Sequence, residues 1–410
     1  MASTFTNLII VLIAITALSQ IWLSRRHISF VSQHRKKVPA PFKDIIKIKD
    51  HQKAADYTVD KSKLNILGLA VEAIFLYFIT IGGGIEWINQ YLAQYPFSEI
   101  TLGAMLIIAV MVLSSIIEMP MGLYKIFVID EKYGFNRMTF GIFISDLIKQ
   151  SILGLIIGLP VVYLSLWIIG NLGDLWWLWL WVFISAFNFI MLAVYPLFIA
   201  PLFNKFEPMK NKTLANQIEK LLNKCGFESS GLFVMNGSLR SNHGNAYFTG
   251  FGKSKRIVFF DTLLEKLSGK EIEAVLAHEL GHFHHNHVKK RIILMFLVSF
   301  IGLYILGLLK ESAWFYEGLG VSTMMDANAL LLFLLVSPLF VFFIRPVMAY
   351  YSRLNEFEAD EYACKFAKAQ DLKQSLVKLY RDNASTLTPD PLHSSFYDSH
   401  PPALLRIQAI

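Results

Sequence analysis

The chain has 410 residues, 54% of them hydrophobic and only 17% charged, with a mean hydropathy of +0.47 and a formal net charge of +7. A soluble domain of this length has no use for so much apolar surface, so an ordinary soluble enzyme is excluded and an integral membrane protein is expected. The positive balance is not a nucleic-acid footprint, because no basic stripe is interleaved with exposed aromatics.

Seven stretches, at about 5–23, 64–82, 100–119, 151–170, 175–200, 291–309 and 329–350, are long and apolar enough to span or nearly span a bilayer. The first is too long for a removable signal peptide and no small-residue cleavage site follows it, so it is expected to be retained. Arg25, Arg26, Arg35, Lys36, Lys37, Lys43, Lys47 and Lys49 follow this span, whereas the next loop holds only Glu86 and Glu99. Lys125, Lys132, Arg137 and Lys149 follow the third span, and Asp174 alone follows the fourth. The segment 204–290 is rich in Lys and Arg, while 310–328 sets one Lys against Glu311, Glu317 and Asp326. This alternation predicts an outward amino terminus and an inward, cytosolic carboxyl terminus. Cys225 and Cys364 then face a reducing compartment, where neither a disulfide nor a cysteine-based zinc site is expected. Trp176, Trp177, Trp179 and Trp181 open the fifth span and predict an interfacial aromatic belt. Glu72 and Glu118 lie in or near apolar spans, as bundle-interior or cavity-facing acids do, although capping or interfacial placement explains them nearly as well.

The organisation expected is an amino-terminal membrane part with five spans over 1–203, a cytosolic segment over 204–290, two further membrane helices over 291–350 and a second cytosolic segment over 351–410. The two cytosolic pieces lie on one side and can join. Leu214, Ile218, Leu221 and Leu222 mark an amphipathic helix stopped by Gly226. Short strands are predicted at 231–235, 245–249 and 256–260, separated by Gly, Ser and Asn. A few strands ahead of a metal-binding helix form the α+β plan of small zinc proteases.

Residues 278–282 read His-Glu-Leu-Gly-His. Ser268 and Glu271 are spaced as a capping box, and Ile272, Val275, Leu276 and Leu280 follow at helical spacing. On that helix His278 and His282 stand one above the other and can grip one metal ion, with Glu279 beside its open coordination position. A catalytic zinc site needs a third protein ligand. The best candidates are Glu356 and Asp360, a same-face pair beyond the seventh span. One can ligate the metal while the other bonds a histidine or acts as a second acid. The cluster Phe283-His284-His285-Asn286-His287 is rich in histidine, but His284 and His285 rotate away from the ligand face and are expected to be solvated or interfacial.

The chain resembles the integral-membrane CAAX prenyl endopeptidases, a family of gluzincin-type zinc metalloproteases. The resemblance is carried by Ile117–Pro120 running into Glu131–Asn136, by Pro201–Phe206, Asn245–Phe248, the His278 motif, Arg353–Asp360 and Ser399–Pro402. It implies one Zn2+ per chain held by His278, His282 and Glu356, with Glu279 as general base and Asp360 as proton donor or ligand-orienting acid. It also implies an α-helical membrane protein with seven transmembrane helices around a chamber, and a small α+β zincin-like metalloprotease domain on the cytosolic side.

Among the remaining site candidates, His400 and Arg353 are candidate oxyanion donors; the two prolines after His400 could aim its ring inward, with a surface-loop histidine as the alternative. Asn245 and Ala246 open a strand that could clamp the substrate backbone by edge pairing, with a turn-forming Asn after Gly244 as the alternative. The expected substrate is a membrane-tethered or prenylated peptide cut near its carboxyl terminus, with a monomer plausible and no nucleic-acid partner. The missing carboxyl-terminal dilysine signal points to a bacterial inner membrane, with the endoplasmic reticulum as the eukaryotic counterpart. The alternatives are a broader quality-control zinc protease, which the five amino-terminal spans disfavour, and a non-catalytic substrate-holding protein with a structural metal. Site-two-type intramembrane proteolysis is disfavoured because the motif precedes its span.

Overall fold

The computed structural model describes residues 1–249 and 255–410. Seven helices are long and apolar enough to cross a membrane: Ala2–His34, Ile48–Ile79, Glu99–Asp130, Phe140–Asn171, Gly173–Phe203, His287–Leu309 and Asp326–Phe366. Several run well past the apolar stretch that marks them. The second begins at Ile48, and its polar first half continues the helix outside the apolar region, where Tyr57 donates a 2.7 Å hydrogen bond to Asp130. Hydropathy reports the part of a helix that needs lipid, not where the backbone stops being helical.

Each membrane helix packs on the next, and the seventh closes back on the first, making a ring. At one end the start of the seventh helix also reaches the third and fourth. Gly103 permits this crossing, since a Cβ there would stand 2.6 Å from the Cβ of Ala327. Asn89 donates to the buried Asn328 Oδ1 at 3.1 Å in the same layer. A large apolar core, including Ile85, Leu106, Leu166, Leu180, Phe315 and Leu332, seals this end. Further along, the most apolar windows of the second, fifth and sixth helices are only 6% buried. A solid bundle buries a broad stripe of every member, so burial this sparse means that the ring surrounds a hollow. Glu72 and Glu118 are exposed, within each other's field and that of Arg345.

Three of the four tryptophans at the start of the fifth helix are turned into the protein. Trp176 is buried, Trp177 packs edge-on against Phe300 and Tyr304, and Trp181 donates to the Phe296 carbonyl at 3.0 Å. Gly307 leaves room for the Trp177 ring. These rings fasten the fifth helix to the sixth, and only Trp179 stays largely exposed, at 51%.

Beyond the open end lies a four-stranded sheet with strands β1 (Phe206–Pro208), β2 (Leu232–Met235), β3 (Ala246–Thr249) and β4 (Arg256–Phe260), in the order β1-β2-β4-β3. β2 and β4 run parallel at the centre, while β1 and β3 pair antiparallel at the two edges. The three anticipated strands are present. β1 has no alternation to announce it, and Pro208 is tolerated because it sits on an edge. The amphipathic helix Lys212–Lys224 covers the sheet and ends before Gly226, whose φ of +64° lets the chain turn back.

The helix carrying the histidine motif spans Gly269–His284, with the Ser268–Glu271 capping box formed as expected. Its apolar face, Ile272, Leu276 and Leu280, enters a core shared with Ile218, Phe259 and Ala363. Two residues, His285 and the left-handed Asn286 at φ +57°, separate it from the sixth membrane helix. The seventh rod is continuous from Asp326 to Phe366 apart from a 3₁₀ turn at Phe342–Ile344. Pro346 explains that turn, because it removes the amide that would bond back to residue 342. The rod's last section, Arg345–Phe366, crosses the motif helix at closest approach, where a Cβ on Gly281 would lie 2.8 Å from Ala359 Cα. Gly281→Val is expected to force the two helices apart, destabilising the protein by about 1–3 kcal/mol and emptying the site between them. Thermal unfolding together with metal content by mass spectrometry reads both effects, and wild-type values for both would refute this account of the crossing.

Candidate active site

The crossing at Gly281 brings together side chains from both helices. His278 and His282 extend from the motif helix and Glu356 from the seventh rod; their candidate ligand atoms lie within 4.8 Å of one another and form the one such group found among the described residues. The two Nε2 atoms are 3.2 Å apart, His282 Nε2 is 3.4 Å from Glu356 Oε1, and His278 Nε2 is 3.5 Å from Glu356 Oε2. Ligands 2.0–2.2 Å from a common centre at the tetrahedral angle stand about 3.3–3.6 Å apart, so the spacing fits a single small cation.

The outer bonds point the same way. His278 Nδ1 lies 2.8 Å from Asp360 Oδ1, and His282 Nδ1 lies 2.9 Å from His287 Nδ1, whose Nε2 is 2.8 Å from Glu358. A carboxylate cannot donate, so His287 carries its proton on Nε2 and accepts at Nδ1 from His282. In their neutral forms both motif histidines therefore hold their proton on Nδ1 and present Nε2 lone pairs to each other. Two lone pairs at this distance, beside a buried Glu356 Oε2 that has no hydrogen-bond partner, need a positive charge between them. The donor set fits a metal, and His278, His282 and Glu356 would hold it.

Arg406, on the carboxyl-terminal helix Ala403–Ala409, completes the buried charge balance. Its Nη2 and Nε donate to the two oxygens of Asp360 at 2.6 and 2.8 Å, and its Nη1 lies 3.5 Å from Glu356 Oε2. Nothing in the sequence marks it beyond a lone cation among the apolar residues of Ala-Leu-Leu-Arg-Ile. Asp360 is 3% exposed, spent between Arg406 and His278, and lines neither of the adjoining cavities. An acid held this way has no access to a substrate in either cavity, while its bond to His278 Nδ1 fixes that ring's orientation.

Two cavities of about 530 Å³ each adjoin the site, and Glu279, Ser399 and His400 line both. Asn245 and Ala246, at the start of the edge strand β3, line the first; Tyr247 and Phe248 line the second. The strand thus runs from one cavity to the other past Glu279. His400 reaches in from the loop before the last helix, with Nε2 3.4 Å from Glu356 Oε1. Arg353 does not reach the site. Its Nη1 donates to the Ser394 and Asp398 carbonyls at 3.2 and 3.0 Å, bracing the loop that leads to His400, and it lines neither cavity. An arginine one turn before Glu356 looks like an oxyanion donor in sequence, but its helix directs it elsewhere. The exposed His284 ring packs at 4.7 Å on Tyr362 and His285 stacks on His287 at 5.5 Å, away from the ligand face.

Seven membrane helices joined to a sheet-and-helix unit holding such a site define a multi-pass membrane metalloendopeptidase acting on peptide or protein substrates. Residues 27–205 match the family description "CAAX prenyl protease N-terminal, five membrane helices", and residues 208–410 match "Peptidase family M48". The chain belongs to peptidase family M48, in its CAAX prenyl protease branch. It is 34% identical over 385 residues to the CAAX prenyl protease 1 homolog of Arabidopsis thaliana, covering 91% of this chain and 90% of the relative. It is 33% identical over 401 residues to CAAX prenyl protease 1 of Saccharomyces cerevisiae, covering 91% and 88%. The crystal structure of S. mikatae Ste24p superposes with a TM-score of 0.91 at 30% identity, covering 99% of this chain and 98% of that one.

Burial works against a charge on His278, but its bonds to Asp360 and Glu356 prevail and raise it to about 9 when no cation is present. Below that value the metal-free site holds a proton that binding must expel, so affinity for a divalent metal is expected to rise about tenfold per unit from pH 7 towards pH 9. Competition titrations against a chelating dye across that range test this, and a flat profile would refute it.

Proposed function

We propose that this chain is a zinc-dependent endopeptidase that cuts near the carboxyl terminus of CAAX-type, prenylated or otherwise membrane-tethered peptides. The observation that carries the reading is the tetrahedral spacing of His278, His282 and Glu356 beside Glu279, at the open end of a hollow ring of membrane helices. A zinc ion held there supplies Lewis acidity and a water whose pKa falls to about 7. Glu279 accepts the proton of the attacking water and passes it to the leaving amine, a role worth about 10²–10⁴-fold. His400 donates to the oxyanion, a role supported by its 3.4 Å approach to Glu356. The substrate backbone pairs in extended form along β3, with Asn245 and Ala246 at one end of the cleft; the free edge of that strand supports this. Asp360, clamped by Arg406, keeps His278 in the tautomer that offers Nε2.

The site lies on the cytosolic side, a placement supported by the Lys- and Arg-rich segments that share its side of the ring. A lipid-modified peptide suits the geometry because its apolar group can stay within the hollow while its polypeptide meets the metal. The relatives named CAAX prenyl protease 1 support this substrate class.

Glu279→Gln is expected to retain the metal while cleavage falls by about 10²-fold or more. Undiminished cleavage would remove Glu279 as the base. In the same assay a farnesylated CAAX peptide is expected to be cut well ahead of its unmodified twin, with activity abolished by a zinc chelator. Equal cleavage of the two peptides would exclude recognition of the lipid.

A further inference from the structure

A third cavity, of about 540 Å³, shares His282, Phe283 and Val288 with the second, but Glu279 does not line it. It occupies the elbow where the motif helix, after Asn286, gives way to the sixth membrane helix. Leu280 and Phe283 line it from the motif helix, Ile292, Ile293 and Phe296 from the sixth, and Phe189 from the fifth. Its walls are mainly apolar, and Ile293 is 58% exposed at what would be the lipid-facing opening.

The polar rim carries one sign of charge. Lys255 and Lys289 line the cavity, and no Asp or Glu does. The Lys255 ammonium lies over the rings of Phe227 and Phe283, at 4.4 and 5.5 Å, which holds it at the mouth. Neither lysine has an ion-pair partner among the described residues. Lys289 belongs to the first turn of a helix that enters the membrane, where unpaired amides and the helix dipole also favour an anion. Two lysines above a greasy slot at the depth where a membrane span begins are complementary to one kind of molecule, an amphiphile with an anionic head.

We propose that this elbow is a binding site for an anionic glycerophospholipid, with its phosphate between Lys255 and Lys289 and an acyl chain along Ile293, Phe296 and Phe189. The occupant wedges the angle between the motif helix and the sixth membrane helix. Because His282 also borders the cavity, lipid composition would be felt at the metal site through the backbone that carries its ligands.

The test uses the full-length, metal-loaded protein, stripped of lipid in detergent and offered phosphatidylglycerol or phosphatidylcholine. Native mass spectrometry then counts retained lipids. The wild type is expected to keep one phosphatidylglycerol with roughly tenfold or greater preference over phosphatidylcholine. Lys255→Gln with Lys289→Gln should reduce that preference to about twofold or less, and Ile293→Trp, which fills the slot while leaving both lysines, should prevent retention of either lipid. Zinc content and unfolding temperature should match wild type in each variant. Equal retention of both lipids by the wild type, full preference in the double lysine variant, or displacement of phosphatidylglycerol by millimolar inorganic phosphate would each overturn the proposal. The last outcome would identify a site for free anions rather than lipid.

Discussion

The crossing of the motif helix with the end of the seventh membrane rod is the contact on which the molecule depends. Gly281 and Ala359 permit it because neither carries a side chain that would hold the backbones apart. Closing the two helices buries Glu356, Asp360 and Arg406 together with His278. Charges are expensive to bury unless each is matched, and here every one has a specific partner: Arg406 against both carboxylates, Asp360 against His278, Glu356 against the imidazole pair. One Glu356 oxygen has no hydrogen-bond partner and two imidazole nitrogens face each other beside it, a donor set that fits a divalent metal. Helix packing and metal chemistry are thus one problem with one solution.

The same economy places the membrane ring in the service of the site. The ring is sealed by close packing at one end, where Gly103 meets Ala327, and is left hollow towards the other. The helices that line the hollow lead directly to the elements that carry the chemistry. The sixth follows the motif helix after a two-residue break at His285 and Asn286, and the seventh continues into the section bearing Glu356. A short edge strand, β3, then borders both cavities beside Glu279. On the proposed function, an extended peptide and its membrane-held anchor would meet one continuous surface.

Much of this was legible in the sequence, and the limits have physical causes. The seven apolar runs, the capping box at Ser268, the three strands and the His278 motif each rest on a local pattern, and local patterns survive folding. The motif's need for a third ligand points to the same-face pair Glu356 and Asp360, and the family resemblance implies Glu356 of the two. Arg406 was invisible because its partners lie far away in the chain, and a single arginine in a short apolar helix has no period to betray it. Arg353 misled for the converse reason: a charged residue one turn from a ligand is suggestive in sequence, but the rotation of its helix turns it towards the carbonyls of 394 and 398. Composition marks the tryptophans of the fifth helix only as boundary residues, whereas shape complementarity with Gly307 and Phe300 brings Trp177 and Trp181 into a helix contact. Strand β1 is three residues long, too short to show a period at all.

The sixth and seventh membrane helices touch sparsely along their length, yet each is joined end-on to a segment that offers donors to the same point. An ion bound there bridges two walls of the barrel as well as two stretches of chain. It is a clasp on the seam between neighbouring staves, so the atom that performs the chemistry would also set how far the barrel gapes at its working mouth.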